Sequence, residues 1–284
     1  MEHYRERIPA RGTSDCPFSQ YHLHLSHPGS VFAHTHWHPE AEILYMKTGL
    51  VEVRCDKLVF SLSPGQIAFI SPGTLHAIYA LEADSSYDAF VFSFDLLSLP
   101  PTHFFQKELV TPLRSGTHKL PCILQQEDLP YASVRDALEH ICQCPPSSPQ
   151  RKRIVFTSMV QVFTAMMDML QVCSVTSYHK SNVVLKQCLQ FMQAHYSERI
   201  TLQQIADHVH LHPNYLCSMF KDYTGQTVFQ QLILIRIEKA AALLQQKCSV
   251  AEAASACGFD NTGYFAKKFK AVMGCGPKEY SLRR

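Results

Sequence analysis

The stretch Thr201-Leu-Gln-Gln-Ile-Ala-Asp-His-Val-His-Leu-His-Pro-Asn-Tyr-Leu-Cys-Ser-Met-Phe-Lys-Asp-Tyr-Thr-Gly225 returns, in physical character, as Ser249-Val-Ala-Glu-Ala-Ala-Ser-Ala-Cys-Gly-Phe-Asp-Asn-Thr-Gly-Tyr-Phe-Ala-Lys-Lys-Phe-Lys-Ala-Val-Met-Gly274. The period is 48 residues from Leu202 to Val250 and 49 from Tyr215 to Tyr264, so one residue is gained in the turn between. Each copy predicts two short helices. The hydroxyls of Thr201 and Ser249 can accept from backbone N–H groups that the first turn of a helix leaves without partners. Leu202, Ile205 and Val209, then Leu216, Met219 and Phe220, fall at helical spacing, and Val250, Ala253, Ala254 and Cys257, then Phe265 and Phe269, repeat the pattern. Small Ala206 and Ala254 let the helices approach closely, and Gly258 gives the second corner its backbone freedom. Two helices set steeply about a short corner describe a helix-turn-helix, whose second helix can enter the major groove of DNA. Two copies are few for a helical solenoid.

Between the copies, Thr227 to Gln246 predicts one helix of about 20 residues, roughly 30 Å long at about 1.5 Å per residue. Adjacent major grooves on one side of a duplex lie about 34 Å apart, so such a rod can set both second helices against one DNA molecule. Charge agrees: residues 182–284 hold 12 Lys and Arg against 7 Asp and Glu, a net of +5, whereas residues 1–181 hold 14 against 17, a net of −3. A basic excess on the proposed reader suits a phosphate-bearing partner. With Leu216, Met219, Phe220, Phe265 and Phe269 turned inward, the outward positions are Asn214, Cys217, Ser218 and Lys221 in one copy and Thr262, Ala266, Lys267 and Lys270 in the other. These eight are the candidate DNA contacts. Asn suits adenine and Lys suits guanine, with Lys221 and Lys270 better placed for phosphate.

Ala256-Cys-Gly-Phe-Asp-Asn-Thr-Gly-Tyr-Phe-Ala-Lys-Lys-Phe-Lys270, followed by Gly274, Gly276-Pro277 and Tyr280, resembles the carboxy-terminal signature of AraC/XylS-type transcription regulators. The resemblance covers about residues 182–284 and implies a pair of helix-turn-helix units that bind double-stranded promoter DNA. Gly263 departs from the polar residue frequent there.

The amino-terminal part carries His36-x-His38-x3-Glu42-x6-Gly49 and then Gly65-Gln-Ile-Ala-Phe-Ile-Ser-Pro72-Gly73-Thr-Leu-His76, which resemble the paired motifs of a cupin barrel. Leu58–Leu62, Ile67–Ile70 and Phe90–Phe94 predict short strands between Pro and Gly turns. Strand alternation places His36, His38 and Glu42 on one face, converging with His76. The resemblance assigns these four residues to hydrogen bonding with a small polar effector such as a sugar, with no catalytic residue and no cofactor. The same donor set suits a divalent transition metal, and a metal-dependent cupin enzyme fused to a DNA-binding module is the alternative reading.

After the barrel, Ser133–Cys142 predicts an amphipathic helix. Arg151–Cys173 predicts a longer one, with Phe156, Val160, Phe163, Met167 and Leu170 spaced as a helix–helix seam. Its two apolar sides lead to the expectation of a homodimer. Arg151, Lys152, Arg153, Gln161 and Asp168 argue against a membrane span. Ser174–Ser181 has the composition of a linker, and the arm with Arg5, Arg7 and Arg11 is expected to be a disordered tail, with closure over a pocket the alternative. The expected fold class is α+β multidomain: an amino-terminal cupin-like β-barrel (1–118), a helical dimerisation segment (119–175), a linker (176–181) and a carboxy-terminal all-α double helix-turn-helix (182–284, with units at 201–225 and 249–274). Met1–Ala10 lacks the apolar core of a secretory signal, and the 11 cysteines, an odd number, fit reduced thiols, so a cytoplasmic regulator is expected, with RNA polymerase a further partner.

Overall fold

Apolar residues fill both faces of the strands Ala41–Thr48 and Ser85–Phe92, a pattern that requires cover on both sides. The computed structural model, which describes residues 13, 15–25, 31–172 and 178–282, supplies that cover. Strands β1 (Phe18–Leu25), β2 (Val31–His36), β3 (Ala41–Thr48), β4 (Val51–Cys55), β5 (Leu58–Leu62), β6 (Ile67–Ile70), β7 (His76–Ala80) and β8 (Ser85–Phe92) make two facing sheets. One has the order β1-β8-β3-β6, extended by a short strand at Ile123–Leu124; the other has the order β2-β7-β4-β5. Leu44, Met46, Val51, Val53, Ile78 and Ala89 fill the space between them. This is the sheet-rich, cupin-like domain expected from the motifs.

The outer face of the five-stranded sheet, with Ile43, Tyr45, Phe69, Phe90 and Phe92, is covered by helices α2 (Tyr131–Gln143) and α3 (Arg151–Ala165), which follow the short α1 (Thr111–Ser115). The helical segment therefore shares one core with the barrel. Helix α3 is shorter than its apolar run: it stops at Ala165, a tight turn spans Met167–Met169, and Gln171–Val172 pairs with His118–Lys119 as two short strands. Val155, Met159, Val162 and Phe163 of α3 are buried, whereas Lys152, Arg153, Thr157, Gln161 and Thr164 are exposed. Of the second apolar side that the seam spacing led us to expect on this helix, Phe156 at 43% exposure is what remains.

Helix α4 (Tyr178–His195) begins inside the stretch expected to be a linker, so residues 178–181 are helical. Residues 176 and 177, like the arm with Arg5, Arg7 and Arg11, lie outside the described residues. Then come α5 (Leu202–His208), α6 (Pro213–Thr224), α7 (Val228–Gln245), α8 (Val250–Ala256), α9 (Thr262–Met273) and α10 (Pro277–Leu282). Three of these helices start with one device. Thr201, Thr227 and Ser249 each accept from the backbone N–H three residues on, while Gln204, Gln230 and Glu252 reach back to the cap N–H. Helices α6 and α9 both end at a left-handed glycine, Gly225 and Gly274. Helix α7 joins two cores: Leu232 and Ile235 pack with Leu216 and Phe220, and Ile237 and Leu244 with Phe265 and Phe269. Among the described residues, no helix is long and apolar enough to cross a membrane.

Candidate nucleic-acid interface and barrel histidine site

The pairs α5–α6 and α8–α9 are the two expected helix-turn-helix units. Burial of Leu216, Met219 and Phe220 turns the opposite side of α6 to solvent, so Asn214, Cys217, Ser218 and Lys221 are all exposed. Burial of Phe265 and Phe269 does the same for Thr262, Lys267 and Lys270 on α9, while Ala266 is half-buried. His212 caps α6, its Nδ1 accepting from Asn214 N at 3.3 Å, and Asn261 caps α9, its Oδ1 accepting from Tyr264 N at 2.8 Å. Two side chains on these faces lie beyond the predicted set. Tyr215 and Tyr264 are 58% and 47% exposed, one per unit, and the Lys268 ammonium lies 5.5 Å from the Tyr264 ring centre. Their recurrence at equivalent places in the duplicated sequence was the available signal.

In the barrel, β2 delivers His36, β3 delivers Glu42 and β7 delivers His76, while His38, expected from strand alternation, comes from the connection between β2 and β3. His36 and His76 sit at paired positions of β2 and β7, their ring centres 4.2 Å apart. The Nε2 atoms of His38 and His76 each lie 3.2 Å from Glu42 Oε2. Each ring is anchored from behind: His36 Nδ1 lies 2.8 Å from His34 O, His38 Nδ1 3.0 Å from Glu40 O, and His76 Nδ1 2.9 Å from Thr74 O. Burial alone would raise the Glu42 carboxyl, but hydrogen bonds and positive charge from His38 and His76 hold it well below the usual carboxylate range. For His36, burial and then its neighbour His76 push the imidazole far below its ordinary value.

The strand edge carrying this cluster faces the reader. Trp37, between His36 and His38, packs with Leu75 into the core formed by α4 to α7, and the Lys186 ammonium lies 4.9 Å from its ring centre. Gln231 Nε2 on α7 donates to Thr35 O at 2.9 Å. The Lys57 ammonium lies 4.7 Å from the Tyr223 ring centre near the end of α6. A cavity of about 480 Å³ opens at this junction, lined by Asp56, Phe69, His118, Lys119, Cys122 and Lys186 among others, and by none of the four barrel residues. Burial raises the Asp56 carboxyl and lowers the Lys186 ammonium relative to their ordinary values.

Comparison with known proteins reports on both halves. Residues 17–103 match the family described as AraC-like ligand binding domain, and residues 205–283 match a helix-turn-helix domain family. YdeC of Bacillus subtilis (strain 168), an uncharacterized HTH-type transcriptional regulator, is 26% identical over 279 residues, covering 94% of this chain and 92% of its own. YdiP of Escherichia coli (strain K12), described in the same words, is 25% identical over 250 residues, covering 85% of this chain and 78% of its own. The unsaturated fatty acid bound wild-type ToxT from Vibrio cholerae strain SCE256 superposes with a TM-score of 0.51 at 13% identity, covering 93% of this chain and 95% of that one, which shows a shared fold. A ligand-binding barrel ahead of a duplicated reader, matched in that order by both families, makes this chain a member of the AraC family of ligand-responsive, DNA-binding transcription regulators.

Proposed function

We propose that α6 and α9 enter neighbouring major grooves and read them through Asn214, Cys217, Ser218 and Lys221 and through Thr262, Ala266, Lys267 and Lys270. Tyr215 and Tyr264 flank these contacts. What supports the reading is the matched exposure of the two faces at either end of α7, whose 18 residues span about 27 Å at about 1.5 Å each. Selection of bound fragments from random duplex DNA tests it, and recovery of no preferred sequence at low salt overturns it. Within the selected site, Lys267→Ala is expected to cost about 1–3 kcal/mol and to relax preference at one base pair. An equal loss across all sequences would reassign this lysine to phosphate.

A small polar effector such as a sugar was expected at His36, His38, Glu42 and His76. Those side chains already touch one another, and the volume for an organic molecule lies at the junction cavity instead. The effector accordingly binds between barrel and reader, where Lys119, Lys186 and His118 offer donors to a polar or anionic group. Lys186 touches both this cavity and Trp37, the sole tryptophan, so effector binding is expected to shift Trp37 emission. Titration midpoints should weaken in Lys186→Ala. A weakening in His38→Ala alone would return the effector to the barrel. The duplicated reader behind a ligand-binding barrel supports a cytoplasmic regulator over a cupin enzyme joined to a DNA-binding module, and burial of His38, Glu42 and His76 agrees with it.

A further inference from the structure

The junction cavity takes its polar groups from both halves of the chain. The barrel contributes Asp56, in the turn between β4 and β5, and the reader contributes Asn182 and Lys186 of α4. Positions four apart share one side of a helix, so Asn182 and Lys186 face the cavity together. Asp56, at φ 54°, is fixed by two bonds to Leu75: its N–H donates to Leu75 O at 2.8 Å, and its Oδ1 accepts from Leu75 N at 3.3 Å. The Asn182 side chain hydrogen-bonds to the same carboxylate. A carboxylate only accepts, so the amide nitrogen is the end engaged, and Asn182 Oδ1 is left buried with no hydrogen-bond partner. Lys186 brings the opposite charge. Its ammonium lies 4.9 Å from the Trp37 ring centre and 3.1 Å from where a Gly73 side chain would begin. Asp56 and Lys186 attract each other without closing into an ion pair.

We infer that this cavity binds an α-amino acid with an apolar side chain, its ammonium held by Asp56 and Asn182 Oδ1 and its carboxylate by Lys186. The inference rests on the junction cavity being the effector site and adds the class of molecule. Charge selects the class. A simple carboxylic acid would set a second carboxylate against Asp56, and a simple amine would set a second ammonium against Lys186. A neutral sugar would leave both charges desolvated and unpaired. A molecule carrying both charges on neighbouring atoms satisfies Asp56, Lys186 and the orphaned Asn182 oxygen at once. The mouth supplies the remaining specificity: Leu58, Val172 and Val183 line it while 50%, 76% and 49% exposed, an apolar rim suited to an apolar side chain. The volume of about 480 Å³ lies within the range of about 300–1,000 Å³ usual for small-molecule sites.

The consequence for regulation follows from where the groups reside. The ammonium is held from both halves, by barrel Asp56 and by Asn182 of α4, while the carboxylate is held from α4. The bound molecule therefore makes more contacts when barrel and reader are docked than when they are apart. That difference in affinity between two arrangements is what coupling to DNA requires.

Calorimetric titration of the full chain with L-leucine, L-isoleucine, L-methionine and L-phenylalanine tests the class. The tightest binder is then compared with the same molecule lacking its ammonium and with the same molecule lacking its carboxylate; for L-phenylalanine these are 3-phenylpropanoate and 2-phenylethylamine. Each truncated molecule is expected to bind about tenfold or more weakly, since it leaves one buried group of the site without its partner. Asp56→Asn should remove most of the preference over the deaminated acid, and Lys186→Met most of the preference over the amine. The comparison in the unaltered chain stands whether or not either variant folds. No heat with any of the four amino acids at millimolar concentration overturns the inference. Equal binding of the amino acid and its deaminated acid, weakened for both by Lys186→Met, also overturns it and leaves a carboxylate effector at the junction. Weakening by His38→Ala, with Asp56→Asn and Lys186→Met unaffected, would instead place the molecule in the barrel and remove the junction reading itself.

Discussion

Gly258→Ala is expected to unfold the second reader and leave the barrel in place. Gly258 turns the corner between α8 and α9 at φ 75°, a left-handed conformation that costs a residue with a Cβ about 1–2 kcal/mol by itself. The added Cβ would also stand 2.8 Å from Ser197 O and 2.9 Å from Tyr196 O. Those carbonyls cannot retreat freely, because Arg236 of α7 holds the same loop, donating from Nε to Tyr196 O and from its terminal nitrogen to Glu198 O, both at 2.7 Å. Strain and backbone overlap together put the loss at about 3 kcal/mol or more. The loop from Tyr196 to Glu198 leads from α4 into the first unit, so the substitution also loosens the contact between units. Thermal unfolding of the variant should show an early transition with Trp37 emission unaltered, and selected duplexes should lose the half of the sequence read by α9. The first unit supplies the control. His210 occupies the equivalent corner at φ 55°, so His210→Gly relieves the left-handed cost and should change stability by no more than about 1 kcal/mol. A single wild-type-like melt for Gly258→Ala would show that the corner is not closed as described.

The reader was legible because its determinants are local. Each capping box spans three residues, Thr201 with Gln204 or Ser249 with Glu252, and the duplication printed the same signal twice. Strands β5 and β6 were legible between their Pro and Gly turns, at the boundaries read from sequence. Strand β1 was not, since Ser19, Gln20, His22 and His24 interrupt its apolar residues and its identity comes from pairing with β8, Phe18 opposite Phe92. The convergence of His36, Glu42 and His76 was readable from the paired motifs and strand alternation, whereas His38 joins them from the connection after β2. What those residues adjoin was not readable: the Thr35–Gln231 bond joins positions 196 apart, and no periodicity in either segment announces it. Helix α3 was overextended because Met166, Met167, Met169 and Leu170 continue an apolar rhythm, whereas a tight turn redirects the chain toward a two-residue strand. The same rhythm suggested a dimer seam where the sheet takes most of the apolar side chains for itself.

That last observation makes Phe163→Ala the second large expected effect. Phe163 is fully buried, and its ring meets Phe69, Phe92 and Phe94 with centres 5.9, 5.5 and 5.4 Å away, edge-on or steeply tilted. Removing it should cost about 3–5 kcal/mol through lost burial and the cavity left behind, and each lost aromatic pair adds about 0.5–1.5 kcal/mol of preference for this packing. Phe163 belongs to α3, yet Phe69 and Phe92 belong to the sheet, so the damage falls on the barrel. Urea unfolding followed by far-ultraviolet circular dichroism should show the barrel transition at a markedly lower midpoint, while Phe163→Leu recovers much of the loss. The same reasoning bears on where the sensor ends. A fragment closed at residue 118 would keep the cover from Phe94, Leu97, Phe105, Leu109, Val110 and Leu113 but lose that of α2 and α3, whose Tyr131, Val134, Leu138, Val155, Met159 and Phe163 belong to the same core as Ile43, Tyr45, Phe69, Phe90 and Phe92. Such a fragment is expected to lack a cooperative transition, and one extended through Ala165 to regain it. Cooperative unfolding of the shorter fragment at the intact midpoint would make α2 and α3 a segment separate from the barrel core.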